Sequence, residues 1–219
     1  MRIDFHVHSQ YSHDGFSKPE TIIRTCKKKG LGLAITDHDN ARAWQEIQAL
    51  GKKFDVPVVL GQEIKTKFEG RKAGELMGLF LTEEVKSKNY LEVIDEIKAQ
   101  GGMVSAPHPF DVWRLNFKFL EQEKENIDAV EVFNSRCYLD SFNDNALKFT
   151  LKNNLVQMAG SDAHCPWEIG MAFVEAEANT VEEFRKKMEK GKSKTHGRRS
   201  PYSVHLWSFL AKMRVKSYV

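Results

Sequence analysis

Short apolar runs alternate with longer stretches of helical period along this chain. Runs of about four to eight apolar residues read as buried strands, and apolar positions three or four apart read as one face of a helix. Strands are expected near 2–8, 31–36, 56–62, 103–107, 128–133, 155–160 and 171–176. Helices are expected near 18–29, 40–52, 89–100, 117–125, 140–153 and 180–190, with Pro19 suited to the first turn of the first one. Such alternation builds a largely parallel sheet with helices packed against it. Residues 63–81, EIKTKFEGRKAGELMGLFL, break the rhythm. They read as two alternating strands about a Gly70-Arg71 turn, a hairpin projecting from the third strand unit. A loop at 191–201, GKSKTHGRRSP, leads to a last amphipathic helix at 203–213.

Composition changes this picture little. The 219 residues and 25.1 kDa suit a single domain over 1–219, with its core in 1–176 and a helical, basic extension in 177–219. No apolar stretch approaches the roughly 20 residues of a membrane helix, and the start MRIDFHVH has no leader-like apolar region, so a cytoplasmic protein without membrane partners is expected. Cys26, Cys137 and Cys165 are too few and too scattered for a disulfide framework or a paired-cysteine metal site. The net charge is only +3, yet eight of the fifteen residues in 185–199 are Lys or Arg.

The chemistry sits at the ends of the strands. In RIDFHVH, Ile3, Phe5 and Val7 alternate with Asp4, His6 and His8, so period two puts both histidines on one face and the apolar set on the other. The second strand runs into Asp37, His38 and Asp39, with Asp39 placed as a helix N-cap. The third reaches Glu63, the fourth His108, and the sixth Asp162 and His164. Parallel α/β folds build their sites where strands end. His6, His8, Asp14, His38, Glu63, His108, Asp162 and His164 exceed what one four- to six-coordinate ion can use, so at least two metals are implied. Neighbouring divalent ions lower the pKa of a bridging water and clamp a phosphoryl group, which suits phosphoester hydrolysis. A phosphate also calls for fixed cations and donors. Asn134 and Arg136 after the fifth strand are candidates, as are Arg198 and Arg199 in the Gly-flanked loop.

In order along the chain, HVHSQYSHDG, TDHD, GQE, PHPFD and GSDAH resemble the motifs of the PHP family, the polymerase and histidinol phosphatase domains, and its short stand-alone metal-dependent phosphoesterases. The resemblance implies an α/β fold, a distorted TIM-like (β/α)7 barrel with a hairpin insertion and a C-terminal helix. It assigns His6, His8, Glu63 and Asp162 to one metal and Asp14, His38 and His164 to a second. Glu63 bridges to a third that also uses His108. The hairpin reads ELMGLF where such proteins often read HLLGYF, so Glu75 stands at a third-site position usually held by histidine. Carboxylate ligation favours iron, manganese or magnesium over zinc. The expectation is therefore two to three divalent ions (Mn, Fe, Zn or Mg) and hydrolysis of a phosphate ester through a metal-bridging hydroxide, with Asp162 and Glu63 closest to the proton transfer. The substrate is a small metabolite, a nucleotide or a short oligonucleotide. Alternatives are an RNA-binding module related to RNase P protein subunits and a metal-dependent amidohydrolase.

Overall fold

The computed structural model describes residues 1–204. The expected helix at 203–213 therefore lies almost wholly outside the described residues. Nine strands and five helices form within them: β1 (Arg2–Val7), α1 (Pro19–Lys29), β2 (Gly32–Ile35), α2 (Trp44–Phe54), β3 (Val58–Phe68), β4 (Arg71–Leu79), α3 (Tyr90–Ala99), β5 (Met103–Ala106), β6 (Ala129–Asn134), α4 (Asp140–Lys152), β7 (Val156–Gly160), β8 (Ala172–Glu175), α5 (Val181–Glu189) and β9 (Lys194–Gly197).

One sheet runs β7-β6-β5-β4-β3-β2-β1-β8-β9 and nearly closes on itself. The segment after β7 meets β1: His8 N–H donates to the Ala163 carbonyl at 2.9 Å and Ala163 N–H to that of His6 at 3.1 Å. The wall thus has seven members, β1 to β7, but not the seven expected. The strand at 171–176 is β8, which pairs antiparallel with the first residues of β1 and lies outside the wall. Its place is taken by β4, antiparallel to both β3 and β5. The hairpin is therefore built into the barrel rather than only projecting from it. Its turn is Glu69-Gly70, one residue earlier than the sequence suggested. Both residues have positive φ (49° and 76°), the two-residue geometry that matches strand twist.

Two apolar layers hold the barrel. One lies outside it, where Ile22 and Ile23 of α1, Ile47 of α2, Val93 and Ile97 of α3 and Ala146 of α4 cover Leu33, Ile35, Val104 and Val130. The other joins residues from β1 through β8, among them Ile3, Phe5, Val59, Met77, Met103, Ala129 and Met158, to Phe184 and Met188 of α5, which closes the lower end. Ile3 and Phe5 belong to this inner layer and Val7 to the outer one. Strict alternation of Ile3, Phe5 and Val7 on one face fails because the β1–β2 register slips between Asp4 and Val7. The slip lets Phe5 fill the bottom of the barrel while His6 and His8 fill its top.

Residues 117–125 form turns rather than the expected helix. Lys118 N–H donates to the Ala73 carbonyl and Glu75 N–H to that of Leu115, both at 2.8 Å, so this backbone is spent on the edge of β4. Phe117 and Phe119 meanwhile pack on Tyr90, with ring centroids 5.3 and 4.8 Å away. The loop expected at 191–201 contains β9, paired antiparallel with β8. Asp39 is not an N-cap: α2 begins at Trp44, and the Asp39 carboxylate instead accepts from Lys65 N–H and Lys88 Nζ.

Candidate metal centre

Above the inner apolar layer the barrel turns polar. His6 and His8 come from the end of β1, His38 from just past β2, Glu63 from the middle of β3, Glu75 from the facing part of β4, His108 from past β5, and Asp162 and His164 from past β7. All are buried. Gly160 makes room for this crowding, because a Cβ there would lie 2.3 Å from the His6 Cβ and 2.8 Å from Glu131 Oε1. His108 and Asp162 hold the left-handed φ values of 31° and 55°, uncommon outside glycine and kept by the structure around them.

The candidate ligand atoms converge. His6 Nε2 lies 3.0 Å from His8 Nε2 and 3.2 Å from Glu63 Oε2, and His8 Nε2 is 3.3 Å from the same oxygen. Asp162 Oδ1 stands 3.6 Å from His6 Nε2 and 3.4 Å from His8 Nε2. On one side His164 Nε2 is 3.3 Å from Asp14 Oδ1, and His38 Nε2 is 3.7 Å from Asp14 Oδ2. On the other, His108 Nε2 is 3.0 Å from Glu63 Oε1 and 3.7 Å from Glu75 Oε2. His38 Nδ1 joins the two sides, 3.2 Å from Glu63 and 3.8 Å from Glu75.

The outer nitrogens decide what the inner ones can do. His6 Nδ1 faces Glu131 Oε1 at 2.9 Å, and His8 Nδ1 faces Ser12 Oγ at 3.0 Å. With N–H on the Nδ1 of both rings, neutral His6 and His8 turn two lone pairs at each other across 3.0 Å. That arrangement needs a cation beside it, whether a proton or a metal ion. His38 Nδ1 and Asp162 Oδ1 are also sealed from solvent and make no hydrogen bond. Oriented imidazoles backed by acceptors, together with such orphaned atoms, fit divalent metal ions.

Electrostatics agree. Burial pulls His8 down, but Asp162 and Glu63 outweigh it and raise its pKa to about 9. His6 is likewise raised, against burial, by Asp162, Glu131 and Glu63. Burial and the neighbouring Arg136 lower His164 to about 4, and burial holds His38 low, so both are neutral. Burial and the Glu63 carboxylate raise Glu75.

The remaining expected residues lie around this cluster. Asn134 Nδ2 donates to Asp162 Oδ2 at 3.1 Å and to Glu131 Oε2 at 2.9 Å. Arg136 is buried, with Nε on Glu168 Oε1 at 2.7 Å, Nη1 3.1 Å from His164 Nδ1 and Nη2 on the Val204 carbonyl at 3.0 Å. Arg199 pairs with Asp140 at 2.7 Å, and Arg198 is exposed. Both follow β9, where Ser200 N–H reaches the Ser135 carbonyl at 2.7 Å, so this basic stretch lies over the rim above β6. Glu168, which holds Arg136 and the His164 loop, escaped the sequence reading, and so did two side chains beside the cluster. Glu131 is an acidic residue inside the apolar strand AVEVFN, a signal that could have flagged it; Arg114, ion-paired with Asp162, sits in a loop without period.

In this barrel the strand ends gather imidazoles and carboxylates, an arrangement that could hold metal ions. The PHP domain family matches residues 4–160, and the PHP-associated family matches 140–193. The chain belongs to the PHP family. It is 34% identical over 189 residues to an uncharacterised protein of Methanocaldococcus jannaschii, covering 83% of this chain and 73% of that one. A two-domain Bacteroides vulgatus protein, with an inferred PHP-like metal-dependent phosphoesterase part, superposes with a TM-score of 0.75 at 21% identity. That overlay covers 90% of this chain but 65% of the other, so this chain spans just under two thirds of that protein's length. A Bifidobacterium adolescentis protein, inferred to be a metal-dependent phosphoesterase, gives 0.66 at 18% identity over 85% of this chain and 94% of that one. Among the described residues no helix is long and apolar enough to cross a membrane.

Proposed function

We propose that this chain is a metal-dependent phosphoesterase. In this reading His6, His8, Glu63 and Asp162 hold one divalent ion, Asp14, His38 and His164 a second, and His108 and Glu75 a third that shares Glu63. The observation that carries it is the His6–His8 pair, whose Nε2 atoms lie 3.0 Å apart while both Nδ1 atoms are backed by acceptors. The four carboxylates of these sites, Glu63, Asp162, Asp14 and Glu75, favour manganese, iron or magnesium over zinc. Divalent ions bound there would lower the pKa of a water and neutralise charge on phosphoryl oxygens.

The chain's own residues supply the rest. Asp162 is fixed through Oδ2 by Asn134 and Arg114, which leaves Oδ1 facing the imidazoles and ready to accept a proton from the attacking water. Glu63 presents one oxygen to His6, His8 and His38 and the other to His108, tying the three groups into one centre. Arg136, locked to Glu168, fixes the loop that carries His164. Arg198 and Arg199 add positive charge at the rim, where the substrate, a phosphate ester of a small metabolite, a nucleotide or a short oligonucleotide, would enter. A phosphate-release screen over sugar phosphates, nucleotides and 3′,5′-bisphosphates with Mn²⁺ tests this. Release that is abolished by chelation is expected. Metal-free protein with no release from any ester and tight RNA binding would overturn it.

A further inference from the structure

We propose that His13 is a further metal ligand of this centre, an exchangeable one that closes the coordination of the second ion and gives the position up when substrate arrives. The inference rests on the metal-dependent phosphoesterase reading above. No strand or helix period marks His13, because it lies in the loop between β1 and α1. That loop is nevertheless fixed. Gly15 permits its tight closure, since a Cβ there would lie 1.8 Å from the Ser9 carbonyl oxygen, and Gln10 N–H donates to the Ser17 carbonyl at 2.8 Å. Ser12 pins the loop to the centre, with Oγ accepting from His38 N–H at 2.8 Å and lying 3.0 Å from His8 Nδ1. His13 and Asp14 follow directly, so both are delivered to a set place beside His38.

Asp14 turns one oxygen to each side. Oδ1 lies 3.3 Å from His164 Nε2, and Oδ2 lies 3.7 Å from His38 Nε2 and 3.6 Å from His13 Nε2. The His13 and His38 ring centroids are 5.0 Å apart, and ligand atoms of His13, Asp14 and His38 all fall within 4.8 Å of one another. Atoms bound about 2.1 Å from one ion stand about 3.0–3.4 Å apart at the corners of an octahedron or tetrahedron, so small shifts bring this set around a shared ion. Lys65 Nζ stands 3.5 Å from His13 Nε2, so that nitrogen already faces a cation, one on a flexible stem that yields to a divalent ion. Asp14, His38 and His164 make three protein ligands, the number at which a catalytic site keeps one position open. His13 supplies the fourth, and it differs from the other three in burial. Its side chain is 42% exposed, against 7% for Asp14 and His38 and 2% for His164. A ligand at the solvent edge can rotate away without disturbing the barrel, which the buried three cannot do. The position is thus closed at rest and opened by substrate.

The test titrates Mn²⁺ into the chelated full chain by calorimetry, then inorganic phosphate into the Mn²⁺-saturated chain, for the parent and for His13→Ala, with circular dichroism confirming the fold. Losing a ligand should weaken the affected Mn²⁺ step by at least about tenfold, with the number of ions at saturation unchanged because Asp14, His38 and His164 remain. Phosphate should bind the variant about threefold or more tightly, because His13 no longer competes for the position. The two affinities move in opposite directions, which neither the loss of a packing residue nor the loss of a phosphate contact produces. Unchanged Mn²⁺ affinity in His13→Ala, or phosphate binding that is unchanged or weaker at saturating Mn²⁺, would overturn the exchangeable ligand. No Mn²⁺ binding by the parent would overturn it together with the metal centre. Hydrolysis of an ester with His13-independent Mn²⁺ binding would sink the ligand alone. His13-dependent Mn²⁺ binding with no hydrolysis of any ester would sink the phosphoesterase reading and leave the ligand standing.

Discussion

Two sets of buried carboxylates share the upper end of the barrel, and they differ in how their oxygens are satisfied. Asp4, Asp37, Glu131 and Glu168 form an outer set supplied by the protein itself. Asp4 accepts from Ser161 N–H and its hydroxyl, from Gly170 N–H at 2.7 Å and from His6 N–H. Asp37 takes the Ser9 N–H and hydroxyl, both at 2.6 Å, and Glu168 takes Arg136 and the N–H groups of His164 and Cys165. Glu63, Glu75 and Asp162 form an inner set that mostly faces imidazole nitrogens. A buried polar group without a partner costs roughly 1–3 kcal/mol, and in the inner set Asp162 Oδ1 makes no hydrogen bond, whereas the oxygens described for Asp4, Asp37 and Glu168 are met by the fold's own donors. The outer set fixes loops and ring orientations; the inner set is what those loops present.

Breaking the inner set should have the largest effect. Glu63→Ala removes oxygens facing four histidines, so it should strip bound metal and reduce phosphate release to background, read by elemental analysis and the phosphate assay; retained metal with full activity would place the chemistry elsewhere. Breaking the outer set should act through it. Glu131→Gln takes the negative charge from behind His6 Nδ1 and should weaken metal affinity by about 10- to 100-fold while the protein stays folded, checked by metal titration and circular dichroism. An unchanged affinity would make Glu131 a barrel-packing residue only.

Titration sharpens the same contrast. In metal-free protein the pKa of His8 lies at about 9 against an ordinary 6.5, so its charge stabilises the fold fully below pH 6.5 and that stabilisation is lost as pH rises through 9. Bound metal needs the neutral ring. The gap in Tm between Mn²⁺-loaded and chelated protein should therefore widen from pH 6.5 to 9, with protons released on metal uptake. A gap constant across that range would contradict the assignment. The smallest effect belongs to the rim. Arg199 is partly exposed and already paired with Asp140, so Arg199→Ala should change phosphate affinity by less than about threefold, the weak effect of a screened surface charge. A tenfold loss on calorimetry would move it into the site.

What the sequence revealed follows the same division. The histidines and Asp162 were legible because they stand at or just past the ends of apolar strands, where a buried histidine or carboxylate has few structural uses; Glu63, read as a strand end, lies in the middle of the longer β3, and Glu75 within β4 stood out only through the motif resemblance. Glu131 and Glu168 of the outer set were not legible, because they act through contacts between distant segments, such as Glu168 with Arg136, that no local period records. The alternation of Ile3, Phe5 and Val7 misled for a related reason: a register slip is a property of two strands, and one strand's pattern cannot show it. Residues 117–125 carried apolar positions that suit a helix, but Phe117 and Phe119 gain more by joining Tyr90 and Phe68 in an aromatic cluster beside β4. The strand β8 was read correctly as a strand yet wrongly as a wall member, since strand direction is set by the connection from β7 rather than by composition.

Crystals grown with Mn²⁺ and measured at the manganese absorption edge ask directly whether the inner set is a metal centre. An anomalous peak bounded by His6 Nε2, His8 Nε2, Glu63 and Asp162 is expected, with further density toward His164 and toward His108. A flat anomalous map at that position, with the two imidazole nitrogens still facing each other in the absence of metal, would contradict it.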